Sequence, residues 1–332
     1  MPSSHFYILR RKFWHILQKE GEVVHKYIFK RLLMMIPVLL GVMLTIFVIT
    51  YFTPGDPASR RLGDTATPEQ ILALRIEMGL EDDFITQFYR FVTNALRLNF
   101  GYSLVTDRPV FTEIWARFPN TIQLAAMGVV LGLLIGIPLG IISATRQYTI
   151  FDSGATFVGL LGASIPNFWL GMMLIILFSS PGLGWLPASG VGTPQQWILP
   201  VFTVATGSAA TIMRMTRSSM LENVRQDYIR TARAKGQTER VVIFRHALRN
   251  ALIPIVTVAG LQFGFMLGGA VLTETIFTIP GLGAFMVGAI NQMDSTVIHG
   301  GVLLIALVFS FVNLGVDLLY AFIDPRIKSQ YR

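Results

Sequence analysis

Six long runs without a formal charge alternate with polar stretches along this chain. Each run holds about 20 residues, the length of an α-helix that crosses the hydrocarbon core of a bilayer. The runs are roughly 32–53, 121–145, 154–180, 196–213, 251–273 and 300–316. A charge at the centre of a membrane helix costs about 3 kcal/mol on insertion scales, so its absence favours helices that face lipid or pack tightly. The pattern therefore predicts an all-α, polytopic membrane protein with six transmembrane helices.

The composition supports this class and excludes several kinds of chemistry. Hydrophobic residues make up 52% of the chain, which is not typical of a soluble domain. The absence of cysteine excludes disulfides, thiol chemistry and thiolate metal ligands. The histidines show no metal-ligand spacing, so we expect neither a metal site nor a cofactor in this chain. The first apolar run lacks a following small-residue cleavage pattern, which argues against a cleavable signal peptide.

The cations are distributed unevenly between the runs. Residues 1–31 carry seven Lys and Arg, residues 214–249 carry nine, and the tail after Asp324 carries three. The segments 180–195 and 274–299 carry none. Short loops rich in Lys and Arg stay in the cytoplasm, so we expect both termini and the segment 214–249 on that side. The net charge of +8 is therefore a topology signal, and we expect no nucleic-acid partner.

The same pattern divides the chain into five segments. Residues 1–26 form an extension whose spacing predicts a basic helix on the lipid surface, although a poorly ordered tail is the alternative. Residues 27–53 form the first transmembrane helix, and residues 54–118 form an external region with two short amphipathic helices, the first opening at Thr67-Pro68. That region could contact an external partner or pack over the pore mouth. Residues 119–323 form the core with spans two to six, and residues 324–332 form a cytoplasmic tail.

The basic segment between spans four and five contains a short helix with unusual chemistry, predicted over residues 225–237. Tyr228, Ala232 and Gly236 recur every four residues, which predicts a helix face with few side chains. Such a face can lie in a groove on another protein, while a basic rim steers the two partners together. An ordinary positively charged loop is the alternative. The predicted docking residues are Tyr228, Arg230, Thr231, Ala232, Arg233, Ala234, Lys235 and Gly236.

Residues 225–260, RQDYIRTARAKGQTERVVIFRHALRNALIPIVTVAG, closely resemble the cytoplasmic-loop signature of bacterial ABC-importer permeases. The resemblance is to the branch that handles dipeptides, oligopeptides, nickel and glutathione. The general signature has Glu-Ala-Ala before its glycine, whereas this chain has Arg230 and Thr231 at the first two positions. Pro254 lies eighteen residues beyond Gly236, which is also typical of the peptide branch. Other segments that agree are PGDP at 54–57, NFGYS at 99–103, MTRSSMLE at 215–222, LTETIFTIPGLG at 272–283, GGVLL at 300–304 and VDLLYAFIDPRI at 316–327.

The resemblance implies a type I ABC-importer permease in the bacterial inner membrane, with a cytoplasmic coupling helix seated on an ATPase subunit. It implies four kinds of partner: a homologous second permease, two cytoplasmic ATPases, an external substrate-binding protein and membrane lipid. ATP and Mg²⁺ would bind only to the ATPases, because this chain has no phosphate-binding loop and is not expected to be an enzyme. Di- or oligopeptides are the expected substrates, and nickel or glutathione remain alternatives. A self-sufficient carrier or channel is the competing class, although charge-free spans offer no coupling-ion site.

Three polar residues in or beside the spans are candidates for the pore or its gate: Gln262, Glu274 and Asn313. Glu274 follows the fifth span and precedes a Pro-Gly-Leu-Gly turn, so it could form an external gate. A simple helix end is the interpretation that we favour for Glu274. For Gln262 and Asn313, hydrogen bonds between helices are the commoner role, and pore lining comes second. Asp317, near the end of the sixth span, is expected to pair with a nearby cation or to stay in the hydrated interface.

Overall fold

The computed structural model describes the backbone of residues 4–63 and 65–323 and the side chains of residues 28–63, 65–268 and 270–319. All of its long elements are helices: α1 (Ser4–Phe52), α2 (Pro57–Leu62), α3 (Pro68–Met78), α4 (Phe84–Leu96), α5 (Val110–Thr145), α6 (Ile150–Ser164), α7 (Asn167–Phe178), α8 (Pro194–Val224), α9 (Asp227–Ala234), α10 (Glu239–Val241), a π-helical turn (Val242–Ala247), α11 (Leu248–Gly269), α12 (Val271–Ile276), α13 (Leu282–Asn291) and α14 (Ser295–Ile323). The predicted tail, 324–332, lies outside the described residues. The predicted contact of residues 1–26 with the lipid surface stays a prediction, because residues 1–3 and the side chains of 4–26 are also outside the description.

Five of the described helices are long and apolar enough to cross a membrane. They are Ile28–Phe52, Val110–Thr145, Pro194–Val224, Glu239–Gly268 and Ser295–Leu319. A sixth span exists if α6 and α7 are counted together. The predicted polytopic helical architecture is therefore confirmed, with five or six spans according to how that pair is counted.

The third predicted span, 154–180, is wrong as a continuous helix. Its two halves, α6 and α7, meet at 99° around Ile165 and Pro166. Pro166 has no N–H to continue the helical hydrogen bonds, and a residue before proline is pushed into extended backbone. Ile165 has φ −78° and ψ 121°, as that restriction requires. The pair is a broken span or a re-entrant loop, and no charged residue marks the break in the sequence.

Glycines on α5 allow this helix to pack closely against α8. A Cβ at Gly136 would lie 2.7 Å from the backbone oxygen of Ala209, and one at Gly140 would lie 2.7 Å from that of Met213. Any side chain at either position would push the two helices apart, so small residues permit the close approach. The α5–α8 pair therefore forms the tightly packed centre of the bundle.

The first and last spans run antiparallel and are joined at both ends. Arg31 Nη2 lies 3.0 Å from Asp317 Oδ2, which confirms that Asp317 pairs with a cation. At the other end, Thr50 Oγ1 lies 2.7 Å from His299 Nε2. We call the end that holds the ion pair, with residues 145–150 and 225–247, the basic end. The opposite end, with residues 53–109, 179–193 and 270–294, is the distal end.

The distal end contains the two short helices that the sequence predicts. α3 opens at Pro68 with a reciprocal cap: the N–H of Thr67 donates to Gln70 Oε1 at 2.9 Å, and the N–H of Gln70 donates to Thr67 Oγ1 at 3.4 Å. α4 follows and packs on α1 through its phenylalanines. Both helices are therefore present, and α4 is amphipathic as predicted, whereas α3 has exposed apolar residues as well as half-buried ones and no buried residue.

A buried carboxylate fixes the distal region to the bundle. Asp294 Oδ2 accepts the hydroxyl of Ser103 at 2.5 Å and the N–H of Leu104 at 3.1 Å. Its Oδ1 accepts the N–H of Val297 at 3.3 Å, in the first turn of α14. One side chain thus caps α14 and holds the loop of residues 103–104, so the distal region packs on its own bundle.

Candidate functional site

The predicted docking helix is shorter than its spacing indicated. α9 comprises Asp227–Ala234, and Gly236 lies beyond its end. The N–H of Gly236 donates to the oxygen of Arg233 at 3.0 Å, and the N–H of Gln237 donates to that of Ala232 at 3.3 Å. These two bonds form a Schellman motif, which ends a helix on a residue in left-handed backbone. Gly236 has φ +76°, a conformation that glycine adopts without strain.

The predicted small-residue face of α9 is wrong, because part of it is buried inside this chain. Ile229 and Ala232 are three residues apart and share the inner face of the helix. Both belong to a hydrophobic cluster at the basic end, whose other members include Met220, Val242 and Ala247. Ala232 therefore packs against its own protein, and Gly236 is not on the helix at all.

The outward side of α9 and its turn is exposed and basic. Its residues, which we call the α9 surface, are Tyr228, Arg230, Thr231, Arg233, Ala234, Lys235 and Gly236. The hydroxyl of Tyr228 donates to Asn223 Oδ1 at 2.8 Å, which ties α9 to the end of α8. Seven of the eight predicted docking residues are thus accessible together, and Ala232 alone is withdrawn.

The α9 surface stays positively charged, because its basic residues outnumber the two acidic residues beside it. Arg233 donates to Glu239 through Nη2 at 2.6 Å and through Nε at 3.1 Å, so this guanidinium is held by a paired contact. Arg230 Nη1 lies 3.6 Å from Asp227 Oδ1, an exposed pair of the kind that stabilises little. Further exposed cations lie in the segments that adjoin α9 in the chain, namely Arg225, Arg240, Arg245 and Arg249. The surface can therefore attract an acidic groove.

A mostly buried ion pair near the basic end joins α8, the helix that precedes α9, to α6. Arg217, on α8, donates to Asp152, on α6, through Nε at 2.9 Å and Nη2 at 3.0 Å. The Ser143 hydroxyl, near the end of α5, donates to Asp152 Oδ1 at 2.5 Å. Paired Arg–carboxylate contacts are strong and directional, so the end of α8 is held to α5 and α6. This pair was not predicted, because Asp152 and Arg217 are 65 residues apart in the chain and Arg214 lies nearer than Arg217 to the end of its apolar run.

Glu274 lies inside the protein at the distal end, and none of its surface is exposed. The Thr121 hydroxyl donates to its Oε1 at 2.6 Å, and the N–H of Ala284 donates to its Oε2 at 2.8 Å. The N–H of Gly283 also donates to this carboxyl. Gly283 and Ala284 belong to the first turn of α13, so Glu274 caps that helix from a distance. Burial raises the pKa of the Glu274 carboxyl above its ordinary value.

Gln262 and Asn313 do not form one site with Glu274. Both are half-buried, on α11 and α14. Asn313 Nδ2 donates to the oxygen of Phe309 at 3.1 Å, within its own helix, and not across helices as the sequence favours. Asn313 also lines a groove of about 440 Å³ between α1, α11 and α14, together with the Arg31–Asp317 ion pair. A role for these two residues in a pore stays a prediction.

Two family models match the chain. The model of binding-protein-dependent transport system inner membrane components matches residues 136–329, and the N-terminal model of the same systems matches residues 24–125. Among curated proteins, the dipeptide transport system permease protein DppB of Alkalihalophilus pseudofirmus is 42% identical, over 91% of this chain and 99% of its own length. The glutathione transport system permease protein GsiC of Salmonella paratyphi A is also 42% identical, over 91% of this chain and 98% of its own.

Solved structures show the same fold at lower identity. Two inward-facing crystal forms of the MetNI methionine ABC transporter are similar to this chain, with TM-scores of 0.52 and 0.53. Each covers 64% of this chain and 96% of the transporter chain, at 18% and 20% identity respectively. The likeness shows the fold, which is that of type I ABC-importer permeases.

Proposed function

Because the chain belongs to the family of binding-protein-dependent transport system inner membrane components, we propose that its α9 surface receives an ATPase subunit that drives transport. The chain is a multi-pass permease of the inner membrane, in the dipeptide and glutathione branch of ABC importers. In this proposal it supplies the path across the membrane, and the ATPases supply the energy. The basic end then faces the cytoplasm, together with both termini.

The observation that carries the proposal is the open space around the turn that ends α9. A Cβ at Gly236 would meet nothing within 4 Å. The Schellman motif and the buried Ile229 hold this turn in a fixed position. A rigid, basic projection with free space around its glycine is suited to a groove on another protein, since it is ordered before it binds.

The path from the α9 surface into the bundle supports coupling to transport. α9 is joined to α8 by the Tyr228–Asn223 hydrogen bond and by a two-residue connection. α8 in turn holds α6 through Arg217 and packs tightly on α5. A displacement of α9 by a closing ATPase would therefore move α8 with its attached helices. Packed helices that have two discrete arrangements can carry coupling between distant sites of a protein.

Di- or oligopeptides are the proposed substrates, because the relative DppB is named for dipeptide transport. Glutathione is the second candidate, since GsiC is named for glutathione transport at the same 42% identity. Both are small peptides, so one path could accept either. A homologous second permease and an external substrate-binding protein complete the proposed transporter, and nickel transport is the remaining alternative.

Gly236→Asn tests the docking role. Asparagine tolerates left-handed backbone and adds a side chain where this chain leaves free space. We expect the variant to insert normally but to lose ATP-driven uptake and to retain less ATPase on purification. Gly184→Asn is the matched control at the distal end, because Gly184 has φ +68° and also nothing within 4 Å of a Cβ.

Normal uptake and normal ATPase retention by Gly236→Asn would contradict the docking role. Substrate is tested separately, with the intact transporter and its binding protein in proteoliposomes. Uptake of a labelled dipeptide that requires ATP supports the first candidate, and ATP-dependent uptake of glutathione alone supports the second. Ion-driven uptake by this chain without an ATPase would establish the carrier alternative instead.

A further inference from the structure

α4 has more apolar surface than its packing on α1 requires. Its inner face contacts the ring of Phe47, with centroid distances of 5.2, 5.4 and 5.7 Å to Phe84, Phe88 and Phe91. Three further apolar residues remain 75%, 70% and 74% exposed: Ile85, Tyr89 and Leu96. At the angular spacing of an α-helix these three lie within about 40° of one another. They form a second apolar stripe, which we call the α4 stripe.

The polar side of α4 is directed away from that stripe and has its own partners. Arg90 Nη2 lies 2.5 Å from Asp82 Oδ2. Asp83 caps the start of the helix and accepts the N–H groups of Ile85 at 3.1 Å and Thr86 at 3.2 Å. Arg97, the residue that ends α4, falls on the same side as Arg90 at helical spacing. Charges on one side and an apolar stripe on another are the distribution of an amphipathic helix at a membrane.

The contacts with α1 give the depth of α4. The span of α1 ends at Phe52, and Phe47 precedes that end by five residues, or about 7 Å of helix. Ala95 of α4 belongs to the same cluster as Met43, about 13 Å below Phe52. Since the charge-free run after Arg31 spans about 30 Å to Phe52, these contacts lie within the hydrocarbon thickness.

We propose that α4 is a membrane-embedded helix whose stripe of Ile85, Tyr89 and Leu96 contacts the acyl chains of the distal leaflet. Exposed apolar residues at this depth are stable against lipid and costly against water. Tyr89 lies next to the polar side, where an amphipathic ring suits the border of the hydrocarbon. The distal region is therefore anchored in the membrane by α4, in addition to its attachment through Asp294.

Site-directed spin labelling tests this contact. The chain has no cysteine, so one introduced cysteine reports on one position. Ile85→Cys and Leu96→Cys sample the α4 stripe, and Thr86→Cys is the control on the polar side of the same helix. Each is labelled in the full-length chain, purified with its partner subunits, in nanodiscs of phosphatidylethanolamine and phosphatidylglycerol. Collision rates are measured with oxygen, which concentrates in lipid, and with a water-soluble nickel chelate.

The proposal predicts a severalfold higher ratio of oxygen to nickel collisions at positions 85 and 96 than at position 86, with position 96 the deeper. Equal ratios at all three positions would overturn it, because the stripe would then face water. Low collision rates with both reagents at 85 and 96 would also overturn it, since a protein partner would then cover the stripe. Wild-type melting temperatures of the labelled variants show that the helix is still packed.

Discussion

Two glycine turns at opposite ends of the bundle require glycine for opposite reasons. Gly281, at the distal end, has φ −95°, which any residue can adopt, but a Cβ there would collide with the Glu274 carboxyl. Gly236, at the basic end, has φ +76°, yet a Cβ there would meet nothing within 4 Å. Gly281 is therefore required by a buried neighbouring side chain, whereas Gly236 is required only by its backbone conformation.

The difference distinguishes a closed joint, by which we mean the buried contacts of Glu274 beside Gly281, from an open surface around Gly236. Around Gly281 the protein satisfies its own polar groups and leaves no space for a partner. Around Gly236 the turn is equally ordered, but its surroundings are empty. Substitutions should therefore reduce folding stability at the first turn and partner binding at the second.

Glu274→Ala should give the largest effect on stability. It leaves the Thr121 hydroxyl and the N–H groups of Gly283 and Ala284 buried without their acceptor, which costs about 3 kcal/mol or more. Thermal unfolding of the purified chain in detergent measures the loss. Glu274→Gln keeps one carbonyl acceptor and should lose less. An unchanged melting temperature for Glu274→Ala would show that the joint is not closed.

Gly281→Ala should have a smaller effect, about 2 kcal/mol, because one methyl group forces the Glu274 carboxyl to move. Gly236→Ala is the counterpart and should cost about 1 kcal/mol, which is the strain of alanine in left-handed backbone. The same unfolding assay compares the two. A larger loss at position 236 than at position 281 would reverse the comparison.

Charge reversal on the α9 surface should leave stability within about 0.5 kcal/mol, because Arg230 and Lys235 are exposed. Arg230→Glu with Lys235→Glu should nevertheless reduce ATPase retention, and low salt should make the difference from wild type larger. Arg97→Glu, at the distal end, is the control and should retain the ATPase normally. Equal ATPase retention by both variants would show that charge on the α9 surface does not contribute to docking.

The buried carboxyl beside the Gly281 turn should also give the folding stability a small pH dependence. Burial raises the folded-state pKa of Glu274, so the folded chain binds more protons than the unfolded chain. Stability contributed by the protonated carboxyl is thus present at low pH and lost as the pH rises through the folded pKa. The stability difference between wild type and Glu274→Gln should shrink as the pH rises from the unfolded-state pKa to the folded-state pKa of Glu274. A difference that grows with pH would mean that folding lowers this pKa instead of raising it.

The sequence predicted the parts of the fold that depend on composition. Charge-free runs located the spans, and Thr67-Pro68 marked the start of α3, because both signals are local. The break at Pro166 was missed, since transmembrane helices tolerate proline and no charge marks the bend. The joint at Glu274 could not be predicted, because Thr121 is 153 residues away in the chain.

The segment predicted to dock does contain a helix, α9, but the geometry of that helix was predicted wrongly. Four-residue spacing placed Gly236 on the same face as Ala232, whereas the Schellman motif ends the helix first. The signal that would have corrected this is Ile229, an aliphatic residue among charged ones. Ile229 marks the buried face of α9, and Ala232, three residues later, lies on that same face.

Cross-linking from the α9 surface tests the central claim most directly. Single cysteines at Thr231 and Lys235, and at Leu72 on the distal end, are coupled to a short photoactivatable reagent in membranes that contain the whole transporter. The account predicts adducts with the ATPase subunit from positions 231 and 235, with a yield that changes on ATP addition, and none from position 72. Active transport without any ATPase adduct from either α9 position would contradict it.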